Sequence, residues 1–159
     1  MVEQEPLLAT GQVMEAVIFV GIQGSGKTTF YRERFFETHV RVSLDLLRTR
    51  KRERLLLQAC LAGEQPFVVD NTNVLTADRA TYIACAKAAG FRVTGYHFRT
   101  ELRAAIRRNA QRPGKKAIPV PGLISAFKRL QAPALEEGFD ELLSVTINEK
   151  NEFVVTAWQ

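Results

Sequence analysis

Residues 15–28 read Glu15-Ala16-Val17-Ile18-Phe19-Val20-Gly21-Ile22-Gln23-Gly24-Ser25-Gly26-Lys27-Thr28, and this stretch decides the fold. Its opening apolar run has the length of a buried parallel strand. The remainder spells G-x-x-x-x-G-K-T, and residues 29–38 continue as helix. Strand, glycine turn and helix in this order aim backbone N–H groups and a helix N-terminus at one point, which suits a triphosphate. Gly21, Gln23, Gly24, Ser25, Gly26, Lys27, Thr28 and Thr29 are therefore expected to hold a nucleoside triphosphate. Lys27 supplies charge for the β- and γ-phosphates, and the Thr28 hydroxyl is a ligand for Mg²⁺.

The chain has 159 residues and is 46% hydrophobic, which supports one domain. Residues 14–159 are read as that domain and residues 1–13 as a poorly ordered extension. The net charge of +5 is segregated. Arg99, Arg103, Arg107, Arg108, Arg112, Lys115, Lys116, Lys128 and Arg129 follow one another with only Glu101 among them, whereas the chain beyond Gln131 is acidic. Such a positive face suits a polyanion, either phosphate groups or a nucleic acid backbone. Cys60 and Cys85 lack metal-ligand spacing and read as small apolar residues of a reducing compartment. No stretch reaches membrane-spanning length, so a cytoplasmic protein is expected.

Outward from the glycine loop, residues 39–43 read as a second strand and 44–62 as a helix. Residues 67–70 form a third strand, followed by a helix capped by Thr76 and ended by Gly90. Residues 91–98 make a fourth strand and 101–111 a basic helix. A Pro/Gly-rich link leads to a helix over 123–130, and strands over 142–147 and 153–158 follow, the last an antiparallel edge addition. Strands alternating with helices mean a parallel sheet covered on both faces, an α/β fold. Ligands in such sheets bind at the carboxyl ends of strands.

Two acids stand at those ends. Asp45 faces the expected γ-phosphate and could accept a proton from an attacking hydroxyl, with Arg48 on the same helical face gripping a substrate phosphate. An N-cap aspartate beside a solvated arginine fits the same pattern. Asp70 could hold a Mg²⁺-bound water or brace Arg48, while Asn71 and Asn73 are either substrate contacts or turn formers. Arg108 and Arg112, four apart before Pro113-Gly114, suit a lid over residues 101–122 that closes on the triphosphate. Arg103 and Arg107 lie on another flank and read as solvent-facing. His39 and His97 read as structural.

These pieces resemble the kinase domain of polynucleotide 5′-hydroxyl kinases, of the phage type and of polynucleotide kinase/phosphatases, over residues 15–147. The likeness rests on the glycine loop, Ser43-x-Asp45-x-x-Arg48, Asp70-Asn71-Thr72-Asn73 followed by Arg79-x-x-Tyr82, Arg108-Asn109-x-x-Arg112 with Lys116-Ala117-Ile118-Pro119-Val120, and Phe127-Lys128-Arg129-Leu130-Gln131-Ala132-Pro133 with Glu137-Gly138-Phe139. It implies an adenylate-kinase-like P-loop domain that uses ATP and Mg²⁺ on 5′-OH ends of DNA or RNA. By this resemblance Asp45 activates the hydroxyl and Arg48 binds the phosphate on its 3′ side. Arg108 and Arg112 become the catalytic lid arginines with Lys27, and Asp70 an essential carboxylate.

The family commonly shows Asn-Arg-Asp where this chain has Ser43-Leu44-Asp45, and the segment after Arg112 is about one residue longer than the phage pattern. No Asp-x-Asp-x-Thr phosphatase motif occurs, so 3′-phosphatase activity is not expected. Two other readings fit the same residues: a P-loop kinase acting on a small molecule, nucleoside or charged tRNA, and a non-catalytic module binding nucleotide and nucleic acid.

Overall fold

The computed structural model describes residues 13–114 and 117–158; the extension expected over 1–13, apart from Val13, lies outside the described residues, as do Lys115 and Lys116. Along the chain run β1 (Glu15–Val20), α1 (Lys27–Arg34), β2 (Val40–Val42), α2 (Leu44–Leu47), α3 (Arg50–Ala62), β3 (Phe67–Val69) and α4 (Thr76–Ala88). Then come β4 (Arg92–Phe98), α5 (Leu102–Ala110), α6 (Val120–Arg129), a 3₁₀ turn at Leu135–Glu137, β5 (Glu141–Ile147) and β6 (Phe153–Ala157). The strands form one sheet in the order β2-β3-β1-β4-β5-β6, parallel except for β6, which pairs antiparallel with β5 as the sequence suggests.

Ala16 to Val20 of β1 are all buried, without alternation, because both faces of the sheet are covered. Val17 and Phe19 pack with Phe30 and Tyr31 of α1 and with Phe35 and Phe98. The Phe19 ring meets Phe98 and Phe30 edge-on, at centroid distances of 4.9 and 5.8 Å. Ala16, Ile18 and Val20 face the other way, onto Leu57 and Cys60 of α3 and Ile83 and Ala86 of α4. A third cluster joins Ala105 of α5 and Leu123 and Ala126 of α6 to Ile22 and Val74, which lie just past β1 and β3. That cluster seats α5 and α6 over the carboxyl end of the sheet, where the expected site lies.

Four differences from the sequence reading go beyond a residue at an element's end. Helix α1 stops at Arg34, and residues 35–38 turn back so that His39 N–H reaches the Phe35 carbonyl at 2.9 Å. The helix expected over 44–62 is two helices, broken at Arg48, whose φ is 71°. Helix α4 is not capped by Thr76: Leu75 N–H donates to the Asp78 carboxylate at 3.1 Å, and the Thr76 hydroxyl accepts from Arg79. Helix α6 begins at Val120, because Pro121 in a first turn forfeits no intrahelical hydrogen bond.

Arg79 is fully buried and ties the covering layer together. Its guanidinium donates to both Glu137 oxygens, at 2.8 and 3.0 Å, and to the carbonyls of Asn73 and Gln131, at 2.8 and 3.0 Å. A buried cation is tolerated only with this degree of pairing. It fixes the loop after β3 against the C-terminal 3₁₀ turn.

Candidate active site

The glycine loop is squeezed between two elements. Gly24 and Gly26 have φ of 77° and 92°, a region that side chains rarely adopt. A Cβ on Gly24 would lie 2.4 Å from the Ala105 carbonyl oxygen of α5, and one on Gly26 would lie 3.0 Å from the Phe153 ring of β6. Lys27, the first residue of α1, is buried and folds back on the loop, donating to the carbonyls of Gly21 at 2.8 Å and Ile22 at 2.7 Å. Burial pulls its ammonium down from 10.5 to about 8; Asp70 and Asp45 oppose the shift, and Arg112 adds to it. The charges of Asp70 after β3, Asp45 of α2 and Arg112 after α5 thus bear on one nitrogen.

Asp70 follows β3 with its side chain 2% exposed. Its Oδ2 accepts from Thr28 Oγ1 at 3.0 Å and from Arg41 Nε at 2.8 Å, and Arg41 Nη2 reaches Thr28 Oγ1 at 3.3 Å. The arginine paired with Asp70 is thus Arg41 of β2; bracing of Arg48 was one of the two duties expected of Asp70. In the short edge strand Val40-Arg41-Val42, Val40 and Val42 belong to the α3/α4 core, so alternation turns Arg41 to the other face. That alternation was a readable signal. The Thr28 hydroxyl and the Asp70 carboxylate are hard oxygen donors side by side, a pair that fits Mg²⁺ with its shell of waters.

Asp45 and Arg48 do not share a continuing helix. Arg48 closes α2 in a left-handed conformation, and Thr49 starts α3 by accepting the Arg52 N–H at 3.2 Å. The corner leaves both Asp45 and Arg48 exposed, and the Asp45 charge opposes the downward shift of Lys27. Asn71, expected as a substrate contact, is occupied by protein groups: its Oδ1 accepts the Leu44 N–H at 2.9 Å, and its Nδ2 donates to Glu53 Oε2 at 2.9 Å. Asn73 is buried, with φ 48°, and donates to the Phe19 carbonyl at 2.8 Å, so its side chain stitches the loop to β1 rather than meeting substrate. The Thr72 carbonyl completes this join by accepting the Gly21 N–H at 3.0 Å.

Arg108 Nη1 donates to the Gly24 carbonyl at 3.3 Å, placing one arginine of α5 directly on the loop. Asn109 closes the following segment: its amide pairs with both the N–H and the carbonyl of Ile118, at 3.0 and 2.7 Å. Arg112, half-buried, sits inside that closure, while Arg103 and Arg107 are exposed as expected. His39 bridges Glu15 and Thr38 at 2.8 and 2.7 Å. His97 is buried in β4 against Trp158, and burial holds its imidazole down at about 4, with Arg99 and Arg79 adding to the shift. Among the described residues no group of acids, histidines and cysteines has the form of a metal cluster, and both cysteines are free. No helix of the described residues is long and apolar enough to cross a membrane.

Comparison with known proteins agrees with this architecture. Over 135 residues the chain is 28% identical to the bifunctional polynucleotide phosphatase/kinase of Schizosaccharomyces pombe, covering 82% of this chain and 33% of that protein. The chain therefore spans about one third of that relative's length. Among solved structures it is similar to Chaetomium thermophilum Kti12 in complex with ADP-AlF3 (TM-score 0.63, 16% identity, 86% of this chain and 92% of that one). It is also similar to a gluconokinase from Sinorhizobium meliloti 1021 (TM-score 0.55, 16% identity, 83% and 82% of the two chains). At such identities these two likenesses speak for the fold alone. The family model described as "AAA domain" matches residues 48–134, more than half of the 159 residues. With the phosphate-binding loop built as described, the chain belongs to the AAA domain family of P-loop NTPases.

Proposed function

We propose that this domain is an ATP-dependent kinase that transfers the γ-phosphate to 5′-hydroxyl ends of DNA or RNA. The observation that carries the reading is the corner at the end of β3: Asp70 takes the Thr28 hydroxyl at 3.0 Å beside the buried Lys27, and the next residue, Asn71, holds α2, the helix that carries the exposed Asp45. The partial identity with a polynucleotide phosphatase/kinase supports the same substrate class.

In this reading the loop N–H groups cradle the triphosphate, and Lys27 exchanges the carbonyls of Gly21 and Ile22 for phosphate oxygens. Thr28 and a water on Asp70 would hold Mg²⁺, which neutralises phosphate charge when bound. Asp45 takes the proton of the incoming 5′-hydroxyl, and Arg48, beside it at the open corner, holds the phosphate on the 3′ side. Arg112 and Arg108 balance charge on the moving phosphoryl group. The exposed Arg103 and Arg107 add attraction for the backbone. A cytoplasmic site of action fits the two free cysteines.

The test is transfer of label from γ-labelled ATP with Mg²⁺ to oligonucleotides carrying a 5′-hydroxyl, against 5′-phosphorylated controls, nucleosides and gluconate. Label on 5′-hydroxyl ends alone supports the reading. Preference for a lone nucleoside or sugar replaces it with a small-molecule kinase, and salt-dependent oligonucleotide binding with no transfer replaces it with a binding module.

A further inference from the structure

We propose that Glu53, on α3, is a positioning residue for Asp45 and acts through Asn71; this rests on the reading of Asp45 as the group that takes the hydroxyl proton. Helix α2 has only four residues and cannot hold its own shape. Its N-terminus also lacks the usual cap. Ser43 occupies that position, yet its side chain caps nothing, and its buried Oγ has no partner. What holds the first N–H of α2 is Asn71 Oδ1, 2.9 Å from Leu44 N, one residue before Asp45.

An asparagine amide can face either way, and here Glu53 decides which. The Glu53 side chain is 7% exposed and, as a carboxylate, accepts only. Its Oε2 takes the Asn71 Nδ2 at 2.9 Å, and its Oε1 takes the Tyr82 hydroxyl at 2.7 Å and Arg50 Nη1 at 2.9 Å. With the amide nitrogen committed to Glu53, the oxygen must point at Leu44. Tyr82, whose hydroxyl is pushed up to about 12 by burial and by Glu53, stays a donor throughout the neutral range. The end of β3 therefore sets two groups together: Asp70 on Thr28, and, one residue later, Asn71 on the helix that carries Asp45.

The chemistry dictates the test. In Glu53→Gln the new amide turns its oxygen to Tyr82 and Arg50 and its NH₂ to Asn71, which must flip and offer its own NH₂ to the Leu44 N–H. Two donors then face each other and α2 loses its anchor. In the full chain this should lower kcat on a 5′-hydroxyl oligonucleotide about tenfold or more, with KM and ATP affinity within about twofold, since misplacing a reacting group acts on the chemical step. Hydrogen exchange at the Leu44 amide should speed up in parallel.

The swapped pair Glu53→Gln with Asn71→Asp restores donors to acceptors, because the carboxylate introduced on the loop accepts both from the amide introduced on α3 and from the Leu44 N–H. It should return kcat to within about threefold of the parent and Leu44 exchange to its slow rate, even if the single variant does not fold. Parental kcat or Leu44 exchange in the single variant, or no recovery in the swap, overturns the inference. A chain that transfers no phosphate to any end, yet shows Leu44 exchange that rises and recovers, retains the anchor while the proposed function falls.

Discussion

Thr28 Oγ1 lies 3.0 Å from Asp70 Oδ2, so two residues 42 apart in sequence close the same corner of the phosphate site. The Asp70 oxygen also takes Arg41 Nε at 2.8 Å. In the proposed reading, Mg²⁺ arriving with ATP would meet a carboxylate already paired with an arginine. Replacing Asp70 by Asn should weaken ATP binding in Mg²⁺ by about tenfold and leave binding in EDTA little changed. Titration calorimetry under both conditions checks this. Equal losses with and without metal would mean that Asp70 serves the loop rather than the ion.

Lys27 predicts a pH dependence for nucleotide binding. Burial holds its ammonium at about 8, and a bound triphosphate must raise that value because it favours the charged form. ATP affinity should be flat below pH 8 and fall about tenfold per pH unit above it, with proton uptake on binding. The folded value lies below the unfolded one, so the Lys27 contribution to stability grows as pH rises from about 8 to 10.5. Lys27→Met should flatten the ATP profile.

Acid sensitivity of the fold should come in part from His97. Burial holds its imidazole neutral down to about 4, below the ordinary 6.5, so the unfolded chain binds the extra proton between these values. Stability should therefore fall as pH drops through that window, by up to about 3 kcal/mol from this residue. Urea unfolding at pH 7 and at 4.5, for the parent and for His97→Gln, measures it; an unchanged difference in the variant would contradict the assignment.

Arg79 is the side chain whose loss should hurt stability most. Arg79→Met strands the Glu137 carboxylate and the carbonyls of Asn73 and Gln131, for a cost of about 3–5 kcal/mol. Adding Glu137→Leu should recover part of that, because an uncompensated buried charge is removed. A double-mutant cycle in urea reads the coupling.

The central strand and its loop were legible because their signals are local: an uninterrupted apolar run, glycines at turn positions and one lysine. The order of helices and strands was legible for the same reason. The break at Arg48 was harder, since its left-handed turn depends on Thr49 capping α3 and on where α2 and α3 pack. Thr49 itself was a visible cap. Arg41 needed the register of an edge strand. Asn71 looked like a loop residue facing substrate because its partners, Leu44, Glu53 and Tyr82, come from three helices distant in sequence. Asn73 misled for a similar reason: its acceptor is a carbonyl of the neighbouring strand. Polar residues after a strand announce a site, while tertiary contacts decide which of them stay free for substrate.

The central claim is that Asp45 receives the proton from the attacking 5′-hydroxyl, and Asp45→Asn measures it most directly. Single-turnover transfer of label from γ-labelled ATP to a 5′-hydroxyl oligonucleotide should fall by about a hundredfold or more, with ATP affinity within about twofold of the parent. Transfer at the parental rate in that variant would contradict the account.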